Sequence, residues 1–579
     1  MTEFYQHLKE AAKSLHSKEE TKFDFASSKR LLPYIKPYRK KLLLGAGFML
    51  ALSLLALPPP YLLKLIFDKV LPTRNSNILG LIILVLLLIQ LIRAAIAVAS
   101  RYQLDTLNQE VVAKIKRELF YRILTLPLSF FDKNQSAYLL SRIGEVEGLS
   151  FFLSSALLGV LVSMLEFVFC LCILFSLNLK LTVVTLAILP LFFLAAKFHS
   201  RGIRKFTREA YERGATVSRR IQDSIAGVDV IKSFGAEKRE ADRIQSYLNE
   251  SKEINIKRNL ISSFSSEALS LAGALGGFIV LWLGGLDIIN NTFTLGSYMA
   301  FSAYIGKLYG PTQVFANMGL AFQPARVALD RIMELMRLMG EEEDEKAIKI
   351  DHIKKKIEFR NVYFSYDTHS VLFDLSFQVN KGDKVLLSGP NGSGKSTIIK
   401  LLLGLYKVKS GSILIDDHDI SEISLPSLRQ QFSIVSQNTF LFNDTIRNNI
   451  LYSRPDATET DICEATRMAG AQEFIQNLER GIDTEIGERG IRLSGGEKQK
   501  ISIARAVLKD SSLVIFDEAT THLDAKSEER INALIQNKFS EKTCIMISHR
   551  VREIPGINRA YYLNEGRIIR DRQLPNDED

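Results

Sequence analysis

The stretch KVLLSGPNGSGKSTIIKLLLGL, Lys384–Leu405, decides the fold of the C-terminal part of the chain. An apolar run, a loop of the form G-x-x-x-x-G-K-S and a second apolar run predict a strand, a phosphate-binding loop and a helix. Glycines in such a loop allow backbone N–H groups to surround phosphates at a helix N-terminus. Lys395 would add positive charge, and the Ser396 hydroxyl would bind Mg²⁺. The loop therefore predicts a nucleotide site in a parallel α/β domain.

Two later apolar runs end in candidate active groups. SLVIFDEAT, Ser512–Thr520, carries Asp517 and Glu518, and TCIMISHR, Thr543–Arg550, carries His549. Functional groups of α/β domains gather at the carboxyl ends of the parallel strands. We therefore expect Asp517 to bind the metal and Glu518 to act as general base. We expect His549 to contact the γ-phosphate from the same edge of the sheet.

A second glycine loop, RLSGGEKQK at Arg492–Lys500, has no lysine placed to reach a phosphate. Ser494 stands at the N-cap position of the helix that should follow, with glycine N–H groups behind it. This arrangement suits a phosphate that comes from outside the loop. The sequence thus contains one complete and one incomplete anion-binding loop.

The chain as a whole is too apolar for an ordinary soluble enzyme of its size, so part of it must lie in a membrane. Over 579 residues the hydrophobic fraction is 47% and the mean hydropathy is +0.07. Six apolar runs approach the ~20 residues that cross a bilayer. They lie at about Lys41–Phe67, Ile78–Ser100, Phe151–Ser176, Leu179–His199, Ser262–Leu283 and Leu295–Leu320. Six crossings return the chain to the side where it began, so we expect both ends in the cytoplasm.

The net charge of +10 reflects membrane topology and not nucleic-acid binding. About fifteen Lys and Arg residues lie between Lys197 and Arg258, whereas Phe175–Leu181 and Gly284–Gly296 have almost none. Membrane proteins concentrate basic residues in cytoplasmic loops in this way. We expect no nucleic-acid partner.

The organisation of the chain follows from these patterns. We expect a cytoplasmic N-terminal segment at 1–30, a six-span domain at 31–338, a charged linker at 339–349 and the α/β domain at 350–579. The six-span domain would open with an amphipathic elbow helix, LLPYIKPYRK, at the membrane interface. Apolar residues at three- and four-residue spacing in the long links predict helices that continue into the cytoplasm.

In the order of its motifs the chain resembles the ATP-binding cassette exporters. The α/β domain carries, in sequence, FSY, GPNGSGKST, IVSQ, LSGGE, VIFDEAT, THLD and ISHR. The exporter branch is indicated by FDKVLP, FFDKNQSAYLLSRIGEVEGL, GVDVIKSFGAEKRE and TEIGERG. The resemblance implies a membrane all-α six-helix transmembrane domain with long cytoplasmic helical extensions and coupling helices. It also implies that an α/β P-loop ATPase domain of the ATP-binding cassette type follows.

The resemblance also implies a role for each matching residue. ATP would be bound by Tyr366, which stacks on adenine, and by Gly389, Pro390, Asn391, Gly392, Ser393, Gly394, Lys395, Ser396 and Thr397. Gln437 would sense both the metal and the transmembrane domain, and it would bind the metal with Ser396 and Asp517. Glu518 would activate water, and His549 would orient the γ-phosphate. The ATP of another subunit would be contacted by Ser494, Gly495, Gly496, Glu497 and Asp524.

As a whole, the resemblance implies an exporter that uses ATP and Mg²⁺ and alternates between inward- and outward-facing states. We expect it in the bacterial inner membrane, among membrane lipids, with an amphipathic drug, lipid or processed peptide as cargo. One chain holds every catalytic position, which favours a homodimer. An ATP-gated channel or sensor, or one half of a heterodimer, is the alternative. Glu497, in place of the commoner glutamine, and the Thr521–His522 pair depart from the usual motifs.

Three ionisable residues fall inside predicted spans: Arg93, Glu166 and Lys307. An ionisable group facing lipid at membrane depth costs roughly 3 kcal/mol on insertion scales, so each should face a wet cavity or a partner. We expect these residues to contribute to a substrate cavity. The alternative is that Lys307 extends its charge to the membrane interface or pairs with Glu166, for structure alone.

Overall fold

The computed structural model describes residues 31–134, 136–150, 155–341, 346–519, 525–548 and 556–573. The chain divides into two compact units. One comprises Met1–Leu124 and Gln135–Leu338, and the other comprises Thr125–Asn134 and Met339–Asp579. The predicted N-terminal segment at 1–30 and the first four residues of the predicted third span lie outside the described residues.

The N-terminal part of the chain is helical. Its helices are α1 (Leu32–Ile35), α2 (Arg39–Leu55), α3 (Pro58–Leu65), α4 (Ser76–Leu124), α5 (Leu128–Lys133), α6 (Ser136–Glu145), α7 (Ser155–Leu177), α8 (Leu179–Ala226), α9 (Val228–Ser233), α10 (Glu237–Ile289) and α11 (Leu295–Arg337). A π-helical turn, Ile66–Val70, extends α3. Helix α5 belongs to the second unit and the others to the first.

Four of these helices are much longer than a membrane is thick. Helices α4, α8, α10 and α11 contain 49, 48, 53 and 43 residues. At 1.5 Å per residue each is about 65–80 Å long, whereas the hydrocarbon core is about 30 Å thick. The helices therefore extend far beyond any span.

Composition also supports membrane crossing. Among the described residues, three helical stretches are long and apolar enough to cross a membrane: Leu32–Val70, Ser76–Leu124 and Glu237–Ile289. Two shorter apolar stretches, Val162–Leu177 and Leu179–Pro190, lie in α7 and α8.

Prolines divide the first predicted span. Helix α2 ends at Leu55 and α3 begins with Pro58, Pro59 and Pro60, which cannot donate backbone hydrogen bonds to the preceding turn. At this break the buried Tyr304 hydroxyl of α11 donates to the Leu57 carbonyl, 2.5 Å away. The first and last spans are thus joined by a side chain at the point where the first helix is interrupted.

Asp68, in the FDKVLP motif, caps α11. Its carboxylate accepts hydrogen bonds from the Thr294 hydroxyl at 2.7 Å and the Gly296 N–H at 2.8 Å. A Cβ at Gly296 would lie 2.5 Å from both Asp68 Oδ1 and the Lys64 carbonyl. The motif therefore fixes the start of the last long helix, which explains both the aspartate and the glycine.

The second unit contains two sheets and short helices. Its strands are β1 (Lys356–Tyr366), β2 (His369–Asn380), β3 (Lys384–Ser388), β4 (Ser410–Ile415), β5 (His418–Asp419), β6 (Phe432–Val435), β7 (Leu513–Asp517), β8 (Thr543–Ile547), β9 (Arg559–Asn564) and β10 (Arg567–Gln573). Its further helices are α12 (Lys395–Leu402), α13 (Leu425–Gln430), α14 (Ile446–Leu451), α15 (Glu459–Met468), α16 (Gln472–Gln476), α17 (Gly495–Lys509) and α18 (Ala525–Gln536).

The larger sheet carries the predicted site residues. Its order is β10-β9-β3-β8-β7-β6, and all neighbouring pairs except β10 with β9 are parallel. The smaller sheet, β2-β1-β4-β5, is antiparallel. Both faces of the larger sheet are buried, because alternate strand residues enter different cores. In β7, for example, Ile515 packs in one core and Val514 in the other.

Candidate nucleotide-binding and catalytic site

The phosphate-binding loop connects β3 to α12, as its sequence predicts. Gly389 has φ +147° and Gly394 has φ +103°, backbone conformations that side chains rarely adopt. A Cβ at Gly389 would lie 2.1 Å from the Leu563 carbonyl oxygen, and a Cβ at Gly394 would lie 2.6 Å from Leu372 Cδ2. Both glycines are therefore required by the backbone path and by its close neighbours.

Two donors in the loop fit an anionic ligand. The buried Ser393 hydroxyl has no hydrogen-bond partner within the part of the chain that the structure describes. The Lys395 ammonium donates to the carbonyls of Gly389 and Pro390, both 2.9 Å away, and burial lowers the pKa of this lysine. A buried hydroxyl without an acceptor costs free energy. Phosphate oxygens would provide acceptors for both groups.

Four polar side chains meet beside the loop at the carboxyl edge of the larger sheet. Gln437 Nε2 donates to Glu518 Oε2 at 2.5 Å, and the Ser396 side chain is hydrogen bonded to Asp517. Burial, and then the charge of Glu518, raise the pKa of Asp517, while Lys395 opposes this shift. A cation would relieve the repulsion between the two carboxylates.

The composition of this cluster also suits Mg²⁺. Carboxylate, hydroxyl and amide oxygens are ligands that this cation prefers. Among the described residues, no group of three or more His, Cys, Asp or Glu could hold a metal. The oxygens of Ser396 and Gln437 would therefore have to complete the ligands around Asp517.

Glu518 adopts an unusual backbone conformation. Its φ is +49°, in the left-handed region. That region costs a non-glycine residue roughly 1–2 kcal/mol. Its N–H is nevertheless fixed by a 3.0 Å hydrogen bond to the Ile547 carbonyl at the end of β8. Strained residues that the surrounding structure holds in place are concentrated at active sites.

Tyr366 ends β1 and faces the start of α12. Its hydroxyl lies 3.4 Å from Thr397 Oγ1, and its ring meets the Tyr406 ring edge-on at 5.1 Å. The Lys400 ammonium lies 5.4 Å from the first ring and 5.7 Å from the second. Such contacts hold an aromatic ring in one orientation, as a stacking surface for a base requires.

Helix α5 contacts this aromatic group. The Tyr406 hydroxyl donates to the Asp132 carboxylate, and burial together with this carboxylate raises the pKa of Tyr406. Lys133 pairs with Asp367, next to Tyr366, at 2.6 Å. The sequence analysis missed Tyr406, Lys400 and Asp132. The FFD motif was noted there, but nothing in the sequence pairs Asp132 with Tyr406.

The second glycine loop, Arg492–Lys500, is the signature loop of this chain, and it begins α17 as its sequence predicts. The Ser494 N–H and hydroxyl both donate to Glu497 Oε2 at 2.8 Å, and the Glu497 N–H lies 3.4 Å from Ser494 Oγ. This is a reciprocal capping box. In the described part of the chain, the Ser494 and Glu497 side chains thus bond to each other and not to the phosphate-binding loop. The pattern S-x-x-E could have predicted this role for Glu497.

Two residues of α17, the buried Gln499 and the half-buried Arg505, were also missed. Gln499 donates to the Ala519 carbonyl at 3.1 Å and accepts from Thr439 at 2.9 Å. The side chain thus joins α17 to the segments that follow Gln437 and Glu518. Arg505 donates to Asn449 and to the Phe440 carbonyl, and burial lowers its pKa. A polar residue on a helix gives no sequence signal for such contacts.

Two predicted site residues, Asp524 and His549, lie outside the described residues, as do Thr521 and His522. In the first unit, Lys307 and Glu166 form a half-buried ion pair of 3.6 Å. Arg93 is not part of this pair, and its buried Nε has no hydrogen-bond partner among the described residues. The contribution of these three residues to a substrate cavity stays a prediction.

Two known families match the chain. The family described as "ABC transporter transmembrane region" matches residues 42–312, and the family described as "ABC transporter" matches residues 372–521. The chain is 32% identical to YgaD of Bacillus subtilis, whose name describes a multidrug export ATP-binding/permease protein. The match covers 93% of this chain and 95% of the relative.

Further relatives agree with this. The chain is 32% identical to the ATP-dependent lipid A-core flippase of Syntrophus aciditrophicus, with 94% of this chain and 91% of the relative covered. The solved structure of a bacterial Atm1-family ABC exporter with ATP bound superposes with a TM-score of 0.80 at 26% identity. It covers 92% of this chain and 95% of the exporter chain.

These comparisons confirm the predicted fold class, a helical transmembrane domain followed by an α/β nucleotide-binding domain. They also confirm the predicted ATPase activity and membrane location. The chain belongs to the ATP-binding cassette exporters, and it is an inner-membrane protein that couples ATP hydrolysis in the cytoplasm to transport.

Proposed function

We propose that two copies of this chain form a homodimer with two equivalent ATP sites. The observation that carries this proposal is the division of the site residues within one chain. Lys395, Asp517, Glu518 and Gln437 gather at one sheet edge. Ser494 instead bonds within the first turn of its own helix. A second copy would bring its Ser494 and glycine N–H groups to the γ-phosphate and so complete each site.

Within each site the residues have separate tasks. Lys395, Ser393 and the loop N–H groups hold the phosphates, and Tyr366 stacks on adenine. Glu518 takes a proton from the attacking water, while Gln437 holds the Glu518 carboxylate in place. Ser396, Asp517 and Gln437 would hold Mg²⁺, which neutralises phosphate charge when bound. His549 and Asp524 would act on the γ-phosphate and at the dimer contact.

We also propose that Lys307 and Glu166 line the cargo cavity. Their ion pair is 3.6 Å long and about a quarter of each side chain is exposed, so both charged groups remain accessible. An acidic group on the cargo would compete with Glu166 for Lys307. The names of the relatives support an amphipathic drug or a lipid as cargo, and a processed peptide fits the same description.

One experiment tests both the transport function and the homodimer. It measures ATPase activity of the purified protein in liposomes across a panel of lipids, drugs and peptides. We expect a subset of amphipathic compounds to stimulate turnover, and the same compounds to accumulate across the membrane against their gradient. An ATP-dependent conductance without accumulation would instead indicate a gated channel. A protein that hydrolyses ATP only when a second, different chain is present would indicate a heterodimer.

A further inference from the structure

The polypeptide passes from the first unit to the second at the end of α4 and at the end of α11, and these two crossings are joined to each other. Thr125 follows α4, and Gly340 and Glu341 follow α11. The Glu341 N–H donates to the Thr125 carbonyl at 2.6 Å. A Cβ at Gly340 would lie 2.7 Å from Thr125 Oγ1 and 3.0 Å from its carbonyl oxygen. The two segments are therefore in direct contact, and only glycine fits there.

One arginine ties this junction to the helix that starts at the phosphate-binding loop. The Arg429 guanidinium lies 2.9 Å from the Glu341 carboxylate. It also donates to the carbonyls of Leu403 at 3.2 Å and Gly404 at 3.3 Å, which follow the last turn of α12. A guanidinium has five donors in a fixed plane, so it can hold a carboxylate and two carbonyls at once.

Helix α17 also ends beside Arg429. Lys509, the last residue of α17, donates to the Arg429 carbonyl at 2.9 Å and to the Phe432 carbonyl at 2.7 Å. Lys509 is half-buried, and this partial burial lowers its pKa. Helix α12 begins at the phosphate-binding loop and α17 begins at the signature loop. The C-terminal ends of the two nucleotide-facing helices thus converge on one residue.

We propose that Arg429 and Glu341 are positioning residues that couple nucleotide binding to the ends of α4 and α11. This inference rests on the proposed nucleotide site at Lys395. Helix α12 is a rigid element of about 12 Å, so a shift of its first turn on phosphate binding moves its last carbonyls as well. Arg429 passes that shift to Glu341, and the Glu341 N–H passes it to Thr125. The membrane helices that lead into both crossings would then respond together.

Two single variants separate this role from ATP binding. Glu341→Gln removes the charge that Arg429 faces but leaves the arginine bonded to Leu403 and Gly404. Gly340→Ala pushes the linker away from Thr125 without touching the ion pair. Asp571→Asn is the matched control, because it weakens the Arg559–Asp571 pair of the same unit, which is remote in sequence from both crossings.

The test is hydrogen–deuterium exchange of the full-length protein in nanodiscs, in a Glu518→Gln background, with and without ATP and Mg²⁺. In the Glu518→Gln protein without Glu341→Gln or Gly340→Ala, we expect ATP to slow exchange of the Thr125 and Gly340–Glu341 amides about fivefold or more. Glu341→Gln and Gly340→Ala should each abolish that effect, while ATP still protects the 389–397 amides. The Asp571→Asn protein should behave like the background protein.

Each outcome decides between the explanations. If ATP protects residues 389–397 but never changes exchange at the two crossings, or if both linker variants keep the full effect, the coupling role is wrong. A purely structural junction would show the same exchange with and without ATP. If ATP fails to protect residues 389–397 in the background protein, the proposed nucleotide site itself is wrong.

Discussion

Glu518→Gln should stop hydrolysis while leaving ATP binding and folding intact. A positioned general base contributes about 10²–10⁴-fold to a rate, which is roughly 3–5.5 kcal/mol of transition-state stabilisation. The amide has the size of the carboxylate and can still accept the hydrogen bond that Gln437 donates at 2.5 Å. The backbone bond from residue 518 to Ile547 does not involve the side chain. We therefore expect turnover to fall at least about a hundredfold with little change in thermal stability.

Phosphate release from the purified protein in liposomes measures turnover, and retention of labelled ATP on the same protein measures binding. The variant should retain ATP in a closed dimer, because binding uses the loop and the metal and not the base. Asp517→Asn is the contrasting variant, since it should weaken retention of ATP as well as turnover. A Glu518→Gln protein that hydrolyses ATP at a near-normal rate would show that another group activates the water.

Three further predictions concern other parts of the chain. Mixed dimers of Lys395→Ala and Ser494→Arg subunits carry both lesions in one of their two sites and leave the other site intact. They should therefore regain ATPase activity that neither parent homodimer has. If verified mixed dimers show no recovery, the two composite sites do not work independently. Lys307→Ala should abolish stimulation of ATPase by cargo but spare basal turnover and expression, whereas a variant that responds to cargo like the parent would leave only a structural role. Tyr406→Phe keeps the ring beside Tyr366 and loses only the hydroxyl bond to Asp132, so the KM for ATP should stay within about twofold of the parent value. Tyr406→Leu removes the ring contact and should raise the KM for ATP about fivefold or more. Equal KM values in the two Tyr406 variants would show that the ring does not support the adenine.

The phosphate-binding loop and the Asp517–Glu518 pair were predictable because their positions follow from local patterns. An apolar run followed by G-x-x-x-x-G-K-S fixes a strand, a loop and a helix in that order. Parallel strands bring their carboxyl ends to one edge, so Asp517 at the end of β7 had to lie beside the loop that follows β3. Six apolar runs predicted six spans by the same kind of local argument, and among the described residues three of these runs lie in helical stretches long and apolar enough to cross a membrane.

Contacts between distant residues were not predictable in this way. Tyr406 and Asp132 are 274 positions apart, and neither has a neighbour in sequence that indicates the other. Arg429 lies on a short helix with no motif, although it contacts Glu341 at one crossing and the C-terminal ends of two helices. Glu497 was interpreted as a departure from a motif, whereas its carboxylate serves the helix as a cap. Such roles depend on the tertiary arrangement, which one sequence does not encode as a pattern.

The hydrogen bond between Tyr304 and Leu57 has a consequence for how the protein is made. The two residues are 247 positions apart, so the ribosome must synthesise nearly the whole membrane domain before the bond can form. Until then the interrupted first helix sits in the bilayer without this partner, and polar backbone groups exposed to lipid are costly. Newly made chains should therefore complete their membrane fold only after the last helix has been inserted. Loss of the Tyr304 hydroxyl would then lower the yield of membrane-integrated protein before it lowered the activity of the molecules that assemble.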